Sequence, residues 1–229
     1  MPRPLLLCLA LGLTPALFTT ACAADPAAEA AVKPAQWPFA ATEVARFDEP
    51  WAMAFLPGGD ALITERSGNL RLLRAAGGLS KPLAGVPKVA AQGQGGLLDV
   101  ALSPGFAQDR YVYLSYAESD GSRSGTAVGR GRLSADASAL EDFQVLFRQA
   151  PKLSQGLHFG SRLVFDGKGY LYISLGENNQ RPTAQELGKL QGKVVRLNAD
   201  GTVPPDNPFV GRAGARRHAR ANRPLDGCS

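Results

Sequence analysis

Cysteine is scarce and badly placed for cross-linking. Of 229 residues only Cys8, Cys22 and Cys228 are thiols, two near the start and one next to the last. No disulfide can therefore close within the body of the chain, and stability has to come from a hydrophobic core. Histidine is scarcer still, at two, and there is no C-x-x-C, so a thiolate–imidazole zinc site and a C-x-x-C-H haem attachment both lack ligands. What the chain does have is glycine and proline. Together they number 43, or 19%, above the roughly 12% of average usage but without a G-X-Y period, which excludes collagen and signals many turns. With 45% hydrophobic and 20% charged residues, disorder is excluded as well, and the length suits one or two globular domains.

The net charge of +5 invites a nucleic-acid reading, and its distribution refuses it. Residues 212–229 carry five arginines (Arg212, Arg216, Arg217, Arg220, Arg223) against Asp226, and the first 24 residues add only Arg3, so residues 25–211 are neutral. A folded body that neutralised phosphates would need its own excess of Lys and Arg, because such affinity comes largely from counterion release. Nucleic acid is not an expected partner.

The N-terminus has one positive charge, an apolar stretch over residues 5–18 and Ala21-Cys22-Ala23-Ala24. The apolar stretch is shorter than the roughly 20 residues of a bilayer span, so no membrane span is expected there. Residues 1–23 read instead as a signal peptide with an Ala-x-Ala cleavage site, which implies a periplasmic protein. Thr19-Thr20-Ala21-Cys22 is also a poor lipobox, with Thr where Leu belongs, and Cys22 is the residue a lipid anchor would use. Residues 24–40, rich in Ala and Pro, read as a linker.

From residue 41 the chain shows short alternating or β-branched and aromatic runs bounded by Gly, Pro, Asp or Asn, at residues 51–56, 61–65, 70–73, 111–116 and 170–175. That is the signature of strands and turns. Residues 183–189 are the one stretch that reads as helical. Repetition selects among all-β architectures. Phe55-Leu-Pro-Gly-Gly-Asp-Ala-Leu-Ile-Thr64 is strand, turn and strand, and the pattern returns around Pro104-Gly105 and Asp166-Gly167, 47 and then 62 residues on. A third strand follows each time, at residues 69–73, 128–133 and 192–198. Four-stranded propeller blades of about 40–50 residues fit this period, with loop insertions in the longer interval. The expected fold is all-β, a β-propeller of which residues 41–211 hold about three to four blades. Residues 212–229 form an atypical Arg-rich tail with no alternating apolar pattern.

Three loops could carry chemistry. Ser154-Gln-Gly-Leu-His158-Phe-Gly precedes an inner strand, where propeller loops line the axial mouth. A histidine there, of a type that ordinarily titrates near 6.5, can accept a proton at neutral pH. Ala91-Gln-Gly-Gln94-Gly-Gly-Leu-Leu98 holds the same relative position in the preceding blade. Its glycines allow close backbone approach and its glutamines supply donors and acceptors, while the absence of a following Gly-Lys-Ser/Thr and helix rules out a phosphate loop. Gly176-Glu-Asn-Asn-Gln-Arg-Pro182 is a polar cluster able to hold an ion or sugar hydroxyls. Each has a bland reading as an ordinary solvated loop.

Residues 94–209 closely resemble the soluble aldose sugar dehydrogenases that depend on pyrroloquinoline quinone (PQQ), the glucose/sorbosone dehydrogenase-like family. The resemblance rests on Gln94-Gly-Gly-Leu-Leu-Asp-Val-Ala-Leu-Ser-Pro, His158-Phe-Gly-Ser-Arg-Leu-Val-Phe-Asp, Tyr172-Ile-Ser-Leu-Gly-Glu-Asn-Asn-Gln-Arg-Pro-Thr-Ala-Gln, Leu190-Gln-Gly-Lys-Val-Val-Arg-Leu-Asn and Pro205-Asp-Asn-Pro-Phe. Residues 51–65 resemble the family more weakly. The resemblance implies a six-bladed propeller with PQQ in an axial pocket, oxidising aldose sugars to lactones and passing electrons to an external acceptor. It implies that His158 is the catalytic base and that Gln94 binds the cofactor.

The resemblance covers the N-terminal half of the family. The family's Trp-Ser-Tyr-Gly-x-Arg-Asn-Pro segment, its Ca²⁺ site and its later basic residues have no match here, so no metal ligand is assigned and Arg216, Arg217 and Asn222 take no family role. A shifted reading frame or shortened gene product is expected, with an inactive fragment as the consequence. Two other functions compete. A Ca²⁺-dependent lactonase-like propeller hydrolase calls for acidic residues at inner-strand ends, where Glu65 and Asp99 are the candidates. A binding propeller without catalysis makes His158 incidental.

Overall fold

The computed structural model describes residues 39–154 and 156–220. The chain divides into a unit of residues 1–42, described only from residue 39, and a unit of residues 43–229 that contains every element below. The signal peptide, Cys22 and most of the linker lie outside the described residues, as do residues 221–229 of the tail. Among the described residues no helix is long and apolar enough to cross a membrane.

The fold is all-β and consists of three antiparallel sheets, each a meander of consecutive strands. Sheet 1 holds β1 (Pro50–Phe55), β2 (Ala61–Glu65) and β3 (Leu70–Leu73). Sheet 2 holds β4 (Leu97–Leu102), β5 (Tyr111–Ser119), β6 (Ser124–Leu133) and β7 (Leu140–Arg148). Sheet 3 holds β8 (Gly160–Phe165), β9 (Leu171–Leu175), β10 (Val194–Leu197) and β11 (Ala219–Arg220). The turns follow from their residues. Gly58 and Gly59 take φ of 104° and 95° between β1 and β2, a left-handed backbone that costs glycine nothing, and the Leu56 N–H closes the turn on Asp60 O at 2.7 Å.

Side-chain alternation sends each strand of sheet 2 into two cores. Val112, Leu114 and Tyr116 of β5 pack with Leu62, Leu70 and Leu72 of sheet 1. Tyr113 of the same strand points the other way and packs with Leu163, Leu171, Ile173 and Val195 of sheet 3. Sheet 2 is thus the middle layer, and β5, buried on both faces, reads as a nearly unbroken apolar run.

The first strands stand side by side, β4 against both β1 and β8. Polar side chains lock them. Thr64 Oγ1 donates to Leu98 O at 2.6 Å, Thr126 Oγ1 donates to Phe159 O at 2.7 Å, and buried Asp99 accepts the Leu163 N–H at 2.7 Å and the Arg162 guanidinium at 2.9 Å. At the outer flank, β1 turns Ala52 and Ala54 to the core and leaves Trp51, Met53 and Phe55 47%, 55% and 65% exposed.

Three elements differ from the expectation. The stretch expected to be helical forms only a 3-10 turn, Arg181–Gln185, because Pro182 and Gly188 leave too few residues to recover the cost of helix nucleation. A four-residue helix, α1 (Phe106–Asp109), follows β4 instead. And within the stretch read as a tail, Ala219 and Arg220 pair antiparallel with Val195 and Val194 to form the fourth strand of sheet 3.

Candidate functional site

His158, Gln94 and the 176–182 cluster, far apart in sequence, meet at one end of the sheets. Gln94 lies in the loop entering β4, His158 in the loop entering β8, and Glu177 just past the end of β9. Close packing at this junction demands glycine. Gly93 has φ 58°, and a Cβ there would collide with Gly156 O; a Cβ on Gly176 would collide with His158 O.

The loops are stitched by their own polar groups. The Gln94 N–H donates to Gly156 O at 2.9 Å, and its side-chain Oε1 accepts the His158 N–H at 2.9 Å. Arg66 holds the same loop from behind, donating Nη1 to Ala91 O at 2.9 Å and Gly93 O at 3.2 Å. Gln149 donates Nε2 to Gly176 O at 3.0 Å, and Asn178 donates Nδ2 to Leu157 O at 2.9 Å. Left-handed backbone collects here: His158, Asn178 and Asn179 have φ of 50°, 51° and 61°, and such conformations persist only where surrounding contacts impose them.

The imidazole faces a carboxylate. His158 Nδ1 lies 2.5 Å from Glu177 Oε1, with the histidine side chain 41% and the glutamate 22% exposed. An ionised carboxylate only accepts hydrogen bonds, so this contact assigns the proton of a neutral ring to Nδ1 and leaves the Nε2 lone pair available. The hydrogen bond from His158 holds the Glu177 carboxyl below the ordinary range, outweighing the opposing effect of desolvation. A neutral imidazole held this way by a carboxylate has the chemistry a general base requires.

From the sequence, His158 and Gln94 have separate duties and Glu177 has no imidazole partner. The structure joins all three. Gln94 Oε1 is occupied by the His158 backbone, so this residue positions the histidine as well as offering an amide outward. The pairing of residues 158 and 177 spans a hairpin and leaves no mark in local pattern. Asn179, Gln180 and Arg181 are exposed beside it.

The acidic residues considered for a hydrolase are engaged elsewhere. Glu65 is 1% exposed and accepts from the Asp48 N–H, Asn69 Nδ2 and Arg71. Asp99 is consumed by Leu163 and Arg162. Among the described residues, no group of three or more His, Cys, Asp or Glu is placed to hold a metal ion.

Comparison with known proteins identifies the family. The family model for glucose/sorbosone dehydrogenase matches residues 47–220. Aldose sugar dehydrogenase YliI of Escherichia coli is 63% identical over 173 residues, covering 75% of this chain and 47% of that protein. Among solved structures, the apo form of the soluble aldose sugar dehydrogenase from E. coli is 62% identical with a TM-score of 0.73, over 75% of this chain and 50% of that one. The PQQ-bound aldose sugar dehydrogenase of Streptomyces coelicolor is 32% identical with a TM-score of 0.65, over 75% and 50%. The chain belongs to the glucose/sorbosone dehydrogenase family, and it spans about half the length of the relatives it matches.

Proposed function

We propose that this chain contributes the base-bearing part of a periplasmic, PQQ-dependent aldose dehydrogenase built as a six-bladed propeller, of which the three sheets are consecutive blades. The observation that carries this reading is the 2.5 Å contact of His158 Nδ1 with Glu177 on a ring still open to solvent.

PQQ, when bound, supplies the two-electron acceptor that takes hydride from the sugar's anomeric carbon. His158 Nε2 takes the proton of the anomeric hydroxyl, the C–O bond gains its second component, and the product is the lactone. Glu177 holds Nδ1–H and stabilises the imidazolium that results. Gln94 keeps the histidine backbone in place and presents its amide outward.

The donor set at this end suits a carboxylated quinone. Gln94, Asn179 and Gln180 are exposed side-chain amides, and Arg181 is an exposed guanidinium that fits a carboxylate. Ca²⁺ is the second cofactor of this reading, its ligands lying mostly in the part of the family that this chain does not match. The sugar substrate and an external electron acceptor are the partners of this reading, and residues 1–23 are its export signal, with a lipid anchor on Cys22 as the alternative to simple cleavage. Because the chain spans half of its relatives, we propose that its activity by itself is low.

The test is a PQQ titration followed by an aldose-dependent dye-reduction assay on the chain and on His158→Gln. The reading expects PQQ binding in both and sugar oxidation only where His158 is intact. Oxidation of the sugar at equal rate by His158→Gln, or no binding of PQQ at all, overturns it.

A further inference from the structure

Asn178 is held in an expensive state. It is 1% exposed, its φ of 51° is left-handed, and its side-chain Oδ1 is buried with no donor among the described residues. Glycine at this position would remove both costs, since it takes such a φ freely and has no amide oxygen to strand. An amide kept against both is kept for its other end.

That end grips the peptide unit that carries His158. Asn178 Nδ2 donates to Leu157 O at 2.9 Å, and Gln94 Oε1 accepts the His158 N–H at 2.9 Å. The carbonyl of Leu157 and the N–H of His158 belong to one peptide plane. Two side-chain amides therefore clamp it at opposite ends, and a plane held at both ends cannot rotate. This rotation is the one that sets the backbone of His158, whose φ of 50° L residues rarely adopt. The Asn178 N–H also reaches His158 O at 3.4 Å, and the preceding residue, Glu177, takes the ring.

We propose that Asn178 is a positioning residue for His158: by fixing the peptide between Leu157 and His158 it keeps the imidazole on Glu177, with the proton on Nδ1 and the lone pair on Nε2. This deepens the reading of His158 as a base and rests on it.

The experiment reads the tautomer directly. The chain has two histidines, so ¹⁵N-histidine labelling gives two ring systems, and His218→Gln identifies that of His158. At a pH of about 8.5, where imidazoles are ordinarily neutral, the intact chain is expected to show the Nδ1–H pattern, with widely separated ring-nitrogen shifts. Asn178→Gly, which relieves the backbone and deletes the clamp, is expected to collapse that separation toward the averaged shifts of exchanging tautomers.

If the glycine variant fails to fold, Asn178→Asp keeps shape and left-handed tolerance but cannot donate to Leu157 O when ionised, and the same loss is expected. A control, Thr126→Val, deletes the bond to Phe159 O and should lower the melting temperature without moving the tautomer. Retention of the Nδ1–H pattern in either Asn178 variant, or its loss in Thr126→Val, overturns the proposal. None of these readouts needs PQQ, sugar or turnover. A locked tautomer in a chain that binds no PQQ would sink the oxidation reading and leave the positioning role standing.

Discussion

Asp99 and Leu163 join two sheets through one short bond, the 2.7 Å contact from the Leu163 N–H to Asp99 Oδ2. Burial pushes the Asp99 carboxyl above its ordinary range, although the Leu163 N–H and the Arg162 guanidinium both pull it down. A carboxyl raised in the folded state binds its proton more tightly there. Its contribution is complete below the ordinary value of about 3.9 and declines as pH rises through the raised one. Urea unfolding of the intact chain is expected to show that decline, and Asp99→Asn to be flat over the same window. Asp99→Ala strands the Leu163 N–H and is expected to lose about 1–3 kcal/mol at neutral pH. A loss below a few tenths would show that the seam is not held here.

Glu177 titrates in the opposite sense. Its carboxyl is lowered by His158, so the contact is present above the ordinary value of about 4.3 and is lost as pH falls through the lowered one. The stability difference between the intact chain and Glu177→Gln is therefore expected to shrink toward zero as pH falls below the ordinary carboxylate value. Matched melting curves between about pH 2 and 4 measure it, and a difference that grows on acidification across that acid range would contradict the pairing.

Substitutions at His158 and Gln94 should separate chemistry from assembly. His158→Gln keeps a similar reach but cannot take up a proton, and in a chain continued to the full length of its relatives it is expected to lower turnover on the order of 10²- to 10⁴-fold with an unchanged PQQ titration midpoint. Gln94→Ala deletes one neutral hydrogen bond to the His158 backbone and one outward amide. It is expected to weaken PQQ up to roughly tenfold and to reduce turnover at saturating PQQ as well. Turnover unaffected at saturation would mean that Gln94 does not position the histidine.

Trp51, Met53 and Phe55 form an exposed apolar row on β1, and such rows favour association. Replacing Met53 and Phe55 together by Lys is expected to shift the chain toward monomer in light scattering with little change in unfolding midpoint. Their side chains face away from the core, so a large loss of stability would show that the row is already covered.

Much of this structure was legible wherever a local rule dominates. β2 and β3 fall on the residues that alternation selected, and the turns fall where Gly58, Gly59 and Gly169 take a left-handed backbone. β7 was not legible, because its pairing with β6 slips twice and Asp142 has φ 51°, which breaks the period of two. β11 is two residues long and has no period to detect. At the site, histidine and glutamine announced themselves by type and by the glycines around them. The pairing of His158 with Glu177, and the clamp from Asn178, come from the meeting of loops that only the packed sheets bring together.

The seams formed by Thr64, Asp99 and Thr126 have a consequence for how such chains can change. Each is a peg from one sheet seated on the backbone of the next, so the angle between neighbours is set at the seam and not by the length of the connecting segment. Connections are therefore free to differ in length, and the segment from β3 to β4, residues 74–96, is longer than the one from β7 to β8, residues 149–159; the wider spacing of turns across sheet 2 comes from its fourth strand and longer strands, not from the loop insertion expected there. An insertion can add new loop at the His158 end of the sheets while the histidine beneath it stays where the pegs have put it.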